Sequence, residues 1–522
     1  MSVLLIHPPV CQPTEAPPGL AKLAGALKRH AVPHRVLDAN LEGLLHILCG
    51  EGAVDTGGDN WTKRAFRQRT THLSTLRTWS TYDHPDRYGR AVRDLSRVLQ
   101  KTGPAHIHLG LANYEDRTLS PVRSDDLFRA AARPEQNPFF PYFCRRLLSL
   151  IEDDSPRIIG FSLNYLSQAL CTFAMIGFVR RAAPSVRVII GGSLVTSWGR
   201  RLAGKNPFAG LVDDLITGAG EGPLLGLLGR DGRGSSARPE YADFPLWDYV
   251  APGVVLPYAA SRGCYWRRCT FCPERAEGNA YEPMTGPEIR EQLGILTKEI
   301  RPSVIHFLDN AMSPALLRML TEDGVGVPWY GFVRLTDLLM DRDFCDHLKK
   351  AGCIMLKLGI ESGSQTVLDR LQKGIDLHIV SRALTTLKAA GIATYVYLLF
   401  GTPPETLEEA RETLAFAARH RESIDFLNLA IFNLPVASGG HLETRSFYRG
   451  DLSLYEDFSH PQGWNRPQVR HFLDREFRRH PAVAAIVRND PPVFTSNHAA
   501  FFVRSRGDDP EGISRRHPHG RR

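Results

Sequence analysis

The stretch SRGCYWRRCTFCPE, Ser261–Glu274, decides how this chain is read. It places Cys264, Cys269 and Cys272 within nine residues, in a chain that has nine cysteines in all. The others, at 11, 49, 144, 171, 345 and 353, are scattered. An odd, dispersed set argues for the reduced thiols of a cytoplasmic protein and against a disulfide framework. Three thiolates at spacings of five and three wrap one side of a small metal centre. A structural zinc site recruits a fourth ligand, often from a second close cysteine pair. No such pair follows, which leaves His306, inside a predicted buried strand, as the fourth ligand of a zinc loop. Three protein ligands also suit a four-iron, four-sulfur cluster with one iron left open.

Working outward, VVLPYAASRGC (254–264) reads as a strand running into that loop. Further strands are predicted at SVIHFLDN (303–310), WYGFVRL (329–335), CIMLKLGIES (353–362), IATYVYLLFG (392–401) and IDFLNLAIF (424–432), with helical stretches such as 365–373 and 404–419 between them. Six strands with crossover helices form most of a parallel barrel, and the cysteine loop falls at the C-terminal mouth where such barrels carry their active sites. Upstream, VLLIHPP (3–9), HRVLDAN (34–40), RIIGFSL (157–163), VRVIIGG (186–192) and LVDDLITGAGEGPL (211–224) alternate with helical patterns at 17–32 and 167–183. That alternation predicts a doubly wound, Rossmann-like sheet. The fold class is therefore α/β: a Rossmann-like unit over 1–235 with a polar insertion at 50–150, a linker at 236–253, a partial (β/α)6 TIM-type barrel over 254–440, an α-rich C-terminal cap over 441–505 and a basic, disordered tail over 506–522.

Composition bounds the function. Hydrophobic residues make up 43% of the 522, enough for packed cores, and no run of 18 apolar residues offers a membrane span. The apolar N-terminus has no basic region ahead of it and breaks at Pro8-Pro9, so it reads as a buried strand and not a signal peptide. The formal charge of +8 gathers in part in the C-terminal SRRHPHGRR, which reads as a solvated tail; nucleic acid is not an expected partner. The aromatic C-terminal region, with Tyr448, Tyr455, Phe458, Trp464 and His471, is a candidate for closing the barrel mouth.

The cysteine triad, with Phe271 inside its last pair, resembles the cluster motif of radical S-adenosylmethionine (SAM) enzymes. In that family three cysteines hold a [4Fe-4S] cluster whose open iron binds the amino and carboxylate groups of SAM. Four residues separate Cys264 from Cys269 where the usual pattern has three. The resemblance implies SAM contacts for Glu361 and Ser362 in GIESGSQ, for Asp309 and Asn310 in LDN, for Arg334 and for Gly401 in FGTPPET. The N-terminal unit resembles the cobalamin-binding domain joined to one large class of these enzymes. Asp38, Asn40 and Gly43 stand at the spacing of its Asp-x-His-x-x-Gly motif, with Asn where a histidine ligates cobalt. This implies a cobalamin bound base-off without a histidine ligand. Ser162, Gly191 and Gly192, then Gly218, Gly220 and Glu221, match the segments that pass the buried tail of the cofactor.

The resemblance implies a deoxyadenosyl radical that abstracts hydrogen from an unreactive carbon, and a methylcobalamin that donates a methyl group to it. The expected activity is C-methylation of an unactivated carbon of a small-molecule or peptide substrate, with a flavodoxin- or ferredoxin-type reductant. Radical rearrangement, ring contraction or cyclisation is the alternative with the same cofactors, and a non-catalytic iron–sulfur or cobalamin sensor is the alternative without chemistry.

Overall fold

The structure is a computed structural model that describes residues 2–50, 59–232, 237–436, 438, 442–446, 450–490 and 499–503. The expected basic tail, 506–522, and Tyr448 lie outside the described residues.

Two parallel sheets organise the chain. The first contains β1 (Val3–His7), β2 (His34–Asp38), β3 (Ile158–Ser162), β4 (Arg187–Gly191) and β5 (Asp214–Leu215), in the order β2-β1-β3-β4-β5. All its pairings are parallel. β1 is fully buried, and such uninterrupted apolar runs are what a parallel sheet covered by helices on both faces requires. The winding reverses between β1 and β3, and a doubly wound sheet opens a crevice at the C-terminal strand ends where its winding reverses.

The second sheet contains β6 (Val255–Tyr258), β7 (Val304–Met312), β8 (Trp329–Val333), β9 (Cys353–Glu361), β10 (Ala393–Phe400) and β11 (Phe426–Ile431). Each strand pairs in parallel with its sequence neighbour, so the sheet winds in one direction as a six-stranded open barrel. One continuous apolar core joins the two sheets, from Val3 and Leu20 to Leu356 and Phe400.

The region 50–150, expected as an insertion or helical linker, builds the helices Asn60–Leu76, Pro85–Thr102, Ser124–Ala132 and Phe140–Asp154 beside the first sheet. Tyr88, Val92, Leu95 and Leu99 line one face of the second helix and are buried in the same cluster as Leu4 and Ile6 of β1. The C-terminal extension is helical at Arg466–Phe472 and Pro481–Asn489 and adds a three-stranded antiparallel sheet. Its last described turn, Ala499–Phe502, packs against Val255, Val304, Met355 and Ala393. Those residues lie at the N-terminal strand ends, so this turn plugs the barrel floor and not the mouth.

Candidate active site

The cysteine loop lies between a two-residue strand, Ser261–Arg262, and the short helix Pro273–Ala276. Gly263 enters it at φ +68°, where a Cβ would stand 2.2 Å from the Ala280 carbonyl oxygen, so only glycine makes this turn. The extra residue between Cys264 and Cys269 is absorbed by Arg267, which adopts a left-handed conformation at φ +52°. The loop is then stitched to the segment 371–374. Thr270 donates its backbone N–H to Leu371 at 2.9 Å, and the Trp266 indole N–H donates to the Gln372 carbonyl at 3.1 Å. The Trp266 ring fills the space that a side chain at Gly374 would need.

All three thiols are half-buried. Burial raises the Cys269 and Cys272 pKa values. The nearby cations Lys373 and Arg334 oppose that rise at Cys269, and backbone N–H groups of Arg275 and Glu274 oppose it at Cys272. Cys269 also feels the charge of Cys264, and Cys272 the charges of Cys269 and Cys264. Yet among the described residues no three His, Cys, Asp or Glu side chains converge as single-ion ligands do. His306, the fourth ligand of the zinc reading, is committed elsewhere, to Glu15 and Lys357.

The residues expected to contact SAM divide into groups. Glu361 stands at the mouth, at a register break in β9, with φ +70°. A left-handed non-glycine residue is strained, and such strain gathers at functional sites. Its carboxylate meets the Lys373 ammonium at 2.8 Å, in space left by the missing side chain of Gly359. Arg334 lies against the cysteine loop, 3.9 Å above the Trp266 ring, and donates to the carbonyls of Lys373 at 2.8 Å and Gly374 at 3.1 Å. Asp309 is buried and accepts from the Ala260 N–H and the Ser261 hydroxyl, so it fixes the root of the loop. Asn310 is exposed. Ser362 is fully buried, its hydroxyl engaged with Thr413 and the Ser364 N–H. Gly401, at φ +76°, faces the C-terminal extension: a Cβ there would lie 3.1 Å from Val469. Phe271 lies under Lys373, whose nitrogen is 5.6 Å from the ring centre. Lys373 thus joins Glu361, Arg334, Phe271 and Cys269, and sequence reasoning missed it. A lysine three residues past a helix carries no pattern that marks it as buried.

The tail segments converge in the first sheet. Ser162, Gly191, Gly192, Gly218, Gly220 and Glu221 line one cavity of about 200 Å3, at the crevice where the winding reverses. Its walls are apolar, from Leu5, Leu20, Leu23, Phe161, Ile189 and Ile216, and its rim carries Asn164, Lys22 and Arg262. Gly192 has φ +110° and sits where a Cβ would clash with the Leu163 carbonyl at 2.4 Å. An apolar slot with a few polar groups at its rim fits a flat heteroaromatic group. Arg262, two residues ahead of Cys264, pairs across this rim with Glu221. The cysteine loop and the cavity therefore share a border.

Asp38, Asn40 and Gly43 do not line that cavity. Asp38 accepts from the Leu41 N–H at 2.9 Å and from the Tyr249 hydroxyl at 2.5 Å. Asn40 binds the backbone of Cys11 with both arms, accepting from its N–H at 2.9 Å and donating to its carbonyl at 3.1 Å. Gly43 allows the close approach of Phe139, 3.0 Å from an added Cβ. The spacing that resembles a cobalt-binding motif serves folding contacts here.

The family model of the radical SAM superfamily matches residues 258–417. An uncharacterized methyltransferase of Pyrococcus horikoshii is 25% identical over 308 residues, covering 52% of this chain and 66% of that protein. An anaerobic magnesium-protoporphyrin IX monomethyl ester cyclase of Rubrivivax gelatinosus is 29% identical over 172 residues, covering 31% of this chain and 30% of that protein. The chain thus spans just under two thirds of the first of these relatives and less than a third of the second. The fold superposes with a TM-score of 0.52 on the radical SAM methyltransferase TsrM from Kitasatospora setae, solved with cobalamin and a [4Fe-4S] cluster, at 15% identity and over 94% of this chain and 89% of that one. The barrel unit of the chain thus matches the radical SAM superfamily, and the chain as a whole has the two-unit fold of TsrM.

Proposed function

We propose that the chain is a cobalamin-dependent radical SAM methyltransferase that acts on an unactivated carbon. One observation carries the reading: the cysteine loop at the barrel mouth and the apolar cavity of the N-terminal sheet meet at the Arg262–Glu221 pair, so two cofactors bound there would face one substrate space. When bound, the cluster with SAM supplies a carbon-centred radical oxidant, and methylcobalamin supplies the methyl group.

The residues themselves position and shield. Cys264, Cys269 and Cys272 hold the cluster, and Lys373 and Arg334 offset its thiolate charge. Glu361 offers an acceptor for the SAM amino group or ribose at the same mouth. The cavity takes the detached base of the cobalamin tail. No histidine stands at position 40, and Asn40 is spent on Cys11, which supports a base-off cofactor without a ligand from this motif. A flavodoxin- or ferredoxin-type protein is the natural electron donor. Among the described residues no helix is long and apolar enough to cross a membrane.

A second reading, radical cyclisation, draws support from the relative named as a cyclase. The test is corrinoid content. The protein is purified without oxygen, its cluster is reconstituted, hydroxocobalamin is added and the excess removed. The expected visible spectrum shows about one corrinoid per chain. An intact cluster without corrinoid would overturn the methyltransferase reading.

A further inference from the structure

A buried polar chain crosses the barrel interior. Lys357 of β9 is 3% exposed and His306 of β7 is 6% exposed. The Lys357 Nζ lies 3.1 Å from the His306 Nε2, and the His306 Nδ1 lies 3.0 Å from both carboxylate oxygens of Glu15, which reaches in from the loop after β1. A carboxylate can only accept and an ammonium can only donate, so the imidazole has one consistent arrangement. Its Nδ1 carries the proton and donates to Glu15, and its Nε2 accepts from Lys357. The His306 ring is stacked on Tyr330 at 4.3 Å. The chain is therefore neutral overall: one carboxylate, one neutral imidazole, one ammonium.

This arrangement leaves donors unspent. An ammonium has three N–H groups, and among the described residues His306 is the sole hydrogen-bond partner of Lys357. The remaining neighbours of that ammonium are the faces of Tyr330 at 5.0 Å and Phe332 at 5.7 Å. The Tyr330 hydroxyl is also buried without a hydrogen-bond partner among the described residues. Unspent buried donors are costly, and an apolar side chain of similar length would fill this position without that cost. Burial pulls the Lys357 pKa down to about 8, against the charge of Glu15, which pulls it up.

The place of this group decides its use. Lys357 lies four residues below Glu361 on the same strand, about 13 Å deeper at 3.3 Å per residue. Half-buried Phe332 pairs with Lys357 in register, and half-buried Tyr397 and Asn428 stand level with Gly359, two residues nearer the mouth. The level of Lys357 is the floor beneath the mouth, where a substrate held under the cofactors would rest its far end.

We propose that Lys357, positioned by His306 and Glu15, anchors the substrate through a neutral carbonyl oxygen, as in an amide, a peptide or a ketone. Charge selects the class. An anion would leave this buried, balanced chain with a net negative charge, whereas a carbonyl satisfies the free donors and adds none. The aromatic neighbours Phe332 and Tyr397 favour a ring beside that carbonyl. The inference rests on the reading of the barrel mouth as the reaction site.

The test uses the full-length, cluster-reconstituted protein and calorimetric titration with three probes: N-acetyl-L-phenylalaninamide, N-acetyl-L-phenylalaninate and phenethylamine. The amide should bind best, and Lys357→Met should weaken it by about tenfold or more, the loss of a hydrogen bond to a charged donor. Glu15→Gln removes the balancing charge and should shift preference toward the phenylalaninate. Equal binding of the amide by Lys357→Met, a wild-type preference for the anion, or no binding of any probe would each overturn the anchor. Corrinoid content is measured on the same preparation. A protein that takes up corrinoid and ignores the probes sinks the anchor alone; one that takes up none sinks the methyltransferase reading separately.

Discussion

Two short segments have the residue spacing of cofactor motifs, and the structure treats them in opposite ways. In Ser261–Glu274 the backbone and the tryptophan are tied down while the three thiols stay half-buried at the mouth. In Asp38–Gly43 the polar side chains are consumed: Asp38 by Leu41 and Tyr249, Asn40 by Cys11, while Gly43 gives way to Phe139. A motif acts on a cofactor only if the fold leaves its reactive atoms unspent. Spacing alone does not tell the two cases apart.

Removing the free atoms tests the first half of that contrast, with the largest expected effect. Replacing Cys264, Cys269 and Cys272 together with alanine should abolish the cluster, read as loss of iron, of sulfide and of the visible absorbance. The fold should survive, because thermal unfolding depends on the loop's links to 371–374 and not on the thiols. Retention of full iron content would break the comparison at its first term.

Removing the spent atoms tests the second half. Asn40→Ala leaves the buried N–H and carbonyl of Cys11 without partners, which costs about 2–4 kcal/mol. The expected result is a lower denaturation midpoint with corrinoid uptake unchanged in the folded protein. Asn40→His sharpens the point. An imidazole at this position stays in the Cys11 pocket, so the Co(II) signal of the loaded protein should show no nitrogen hyperfine coupling from it. Appearance of that coupling would place Asn40 at the cofactor after all.

These contrasts explain how much was legible. The six barrel strands were readable because each is a long β-branched or apolar run between helical periods, and the cysteine triad because its spacing has few other uses. Ser162, Gly191, Gly218 and Glu221 were found as separate weak signals, and their meeting in one cavity required the order of the sheet. The 50–150 region reads as an insertion or helical linker without separate helices, because arginines and aspartates crowd the turns between Tyr88, Val92, Leu95 and Leu99. Lys357 was invisible for a different reason. A lone lysine in the apolar run CIMLKLGIES reads as an interruption of the strand until its partners, on β7 and on the loop after β1, are seen.

FGTPPET lies between the two cases and yields the smallest effect. The resemblance implies a SAM contact for its Gly401, and in the structure Gly401 and Glu405 meet the C-terminal extension. Glu405 is fully buried and accepts from the Gly401 N–H and from the Trp464 indole N–H at 2.9 Å. Burial raises its pKa from an ordinary value of 4.5 to about 8, and its second oxygen has no hydrogen-bond partner among the described residues. The folded state therefore holds this proton more tightly than the unfolded chain does. The stability this preference contributes is complete below about pH 4.5 and is lost progressively as pH rises toward about 8. Glu405→Gln keeps an acceptor for both N–H groups and removes the titration. It should flatten the pH dependence in that window and stabilise the protein at pH 7 by on the order of 1 kcal/mol. If the residue instead served a bound adenine, the variant would leave the pH dependence of unfolding intact and alter SAM affinity, so paired unfolding and SAM-binding curves separate the two roles.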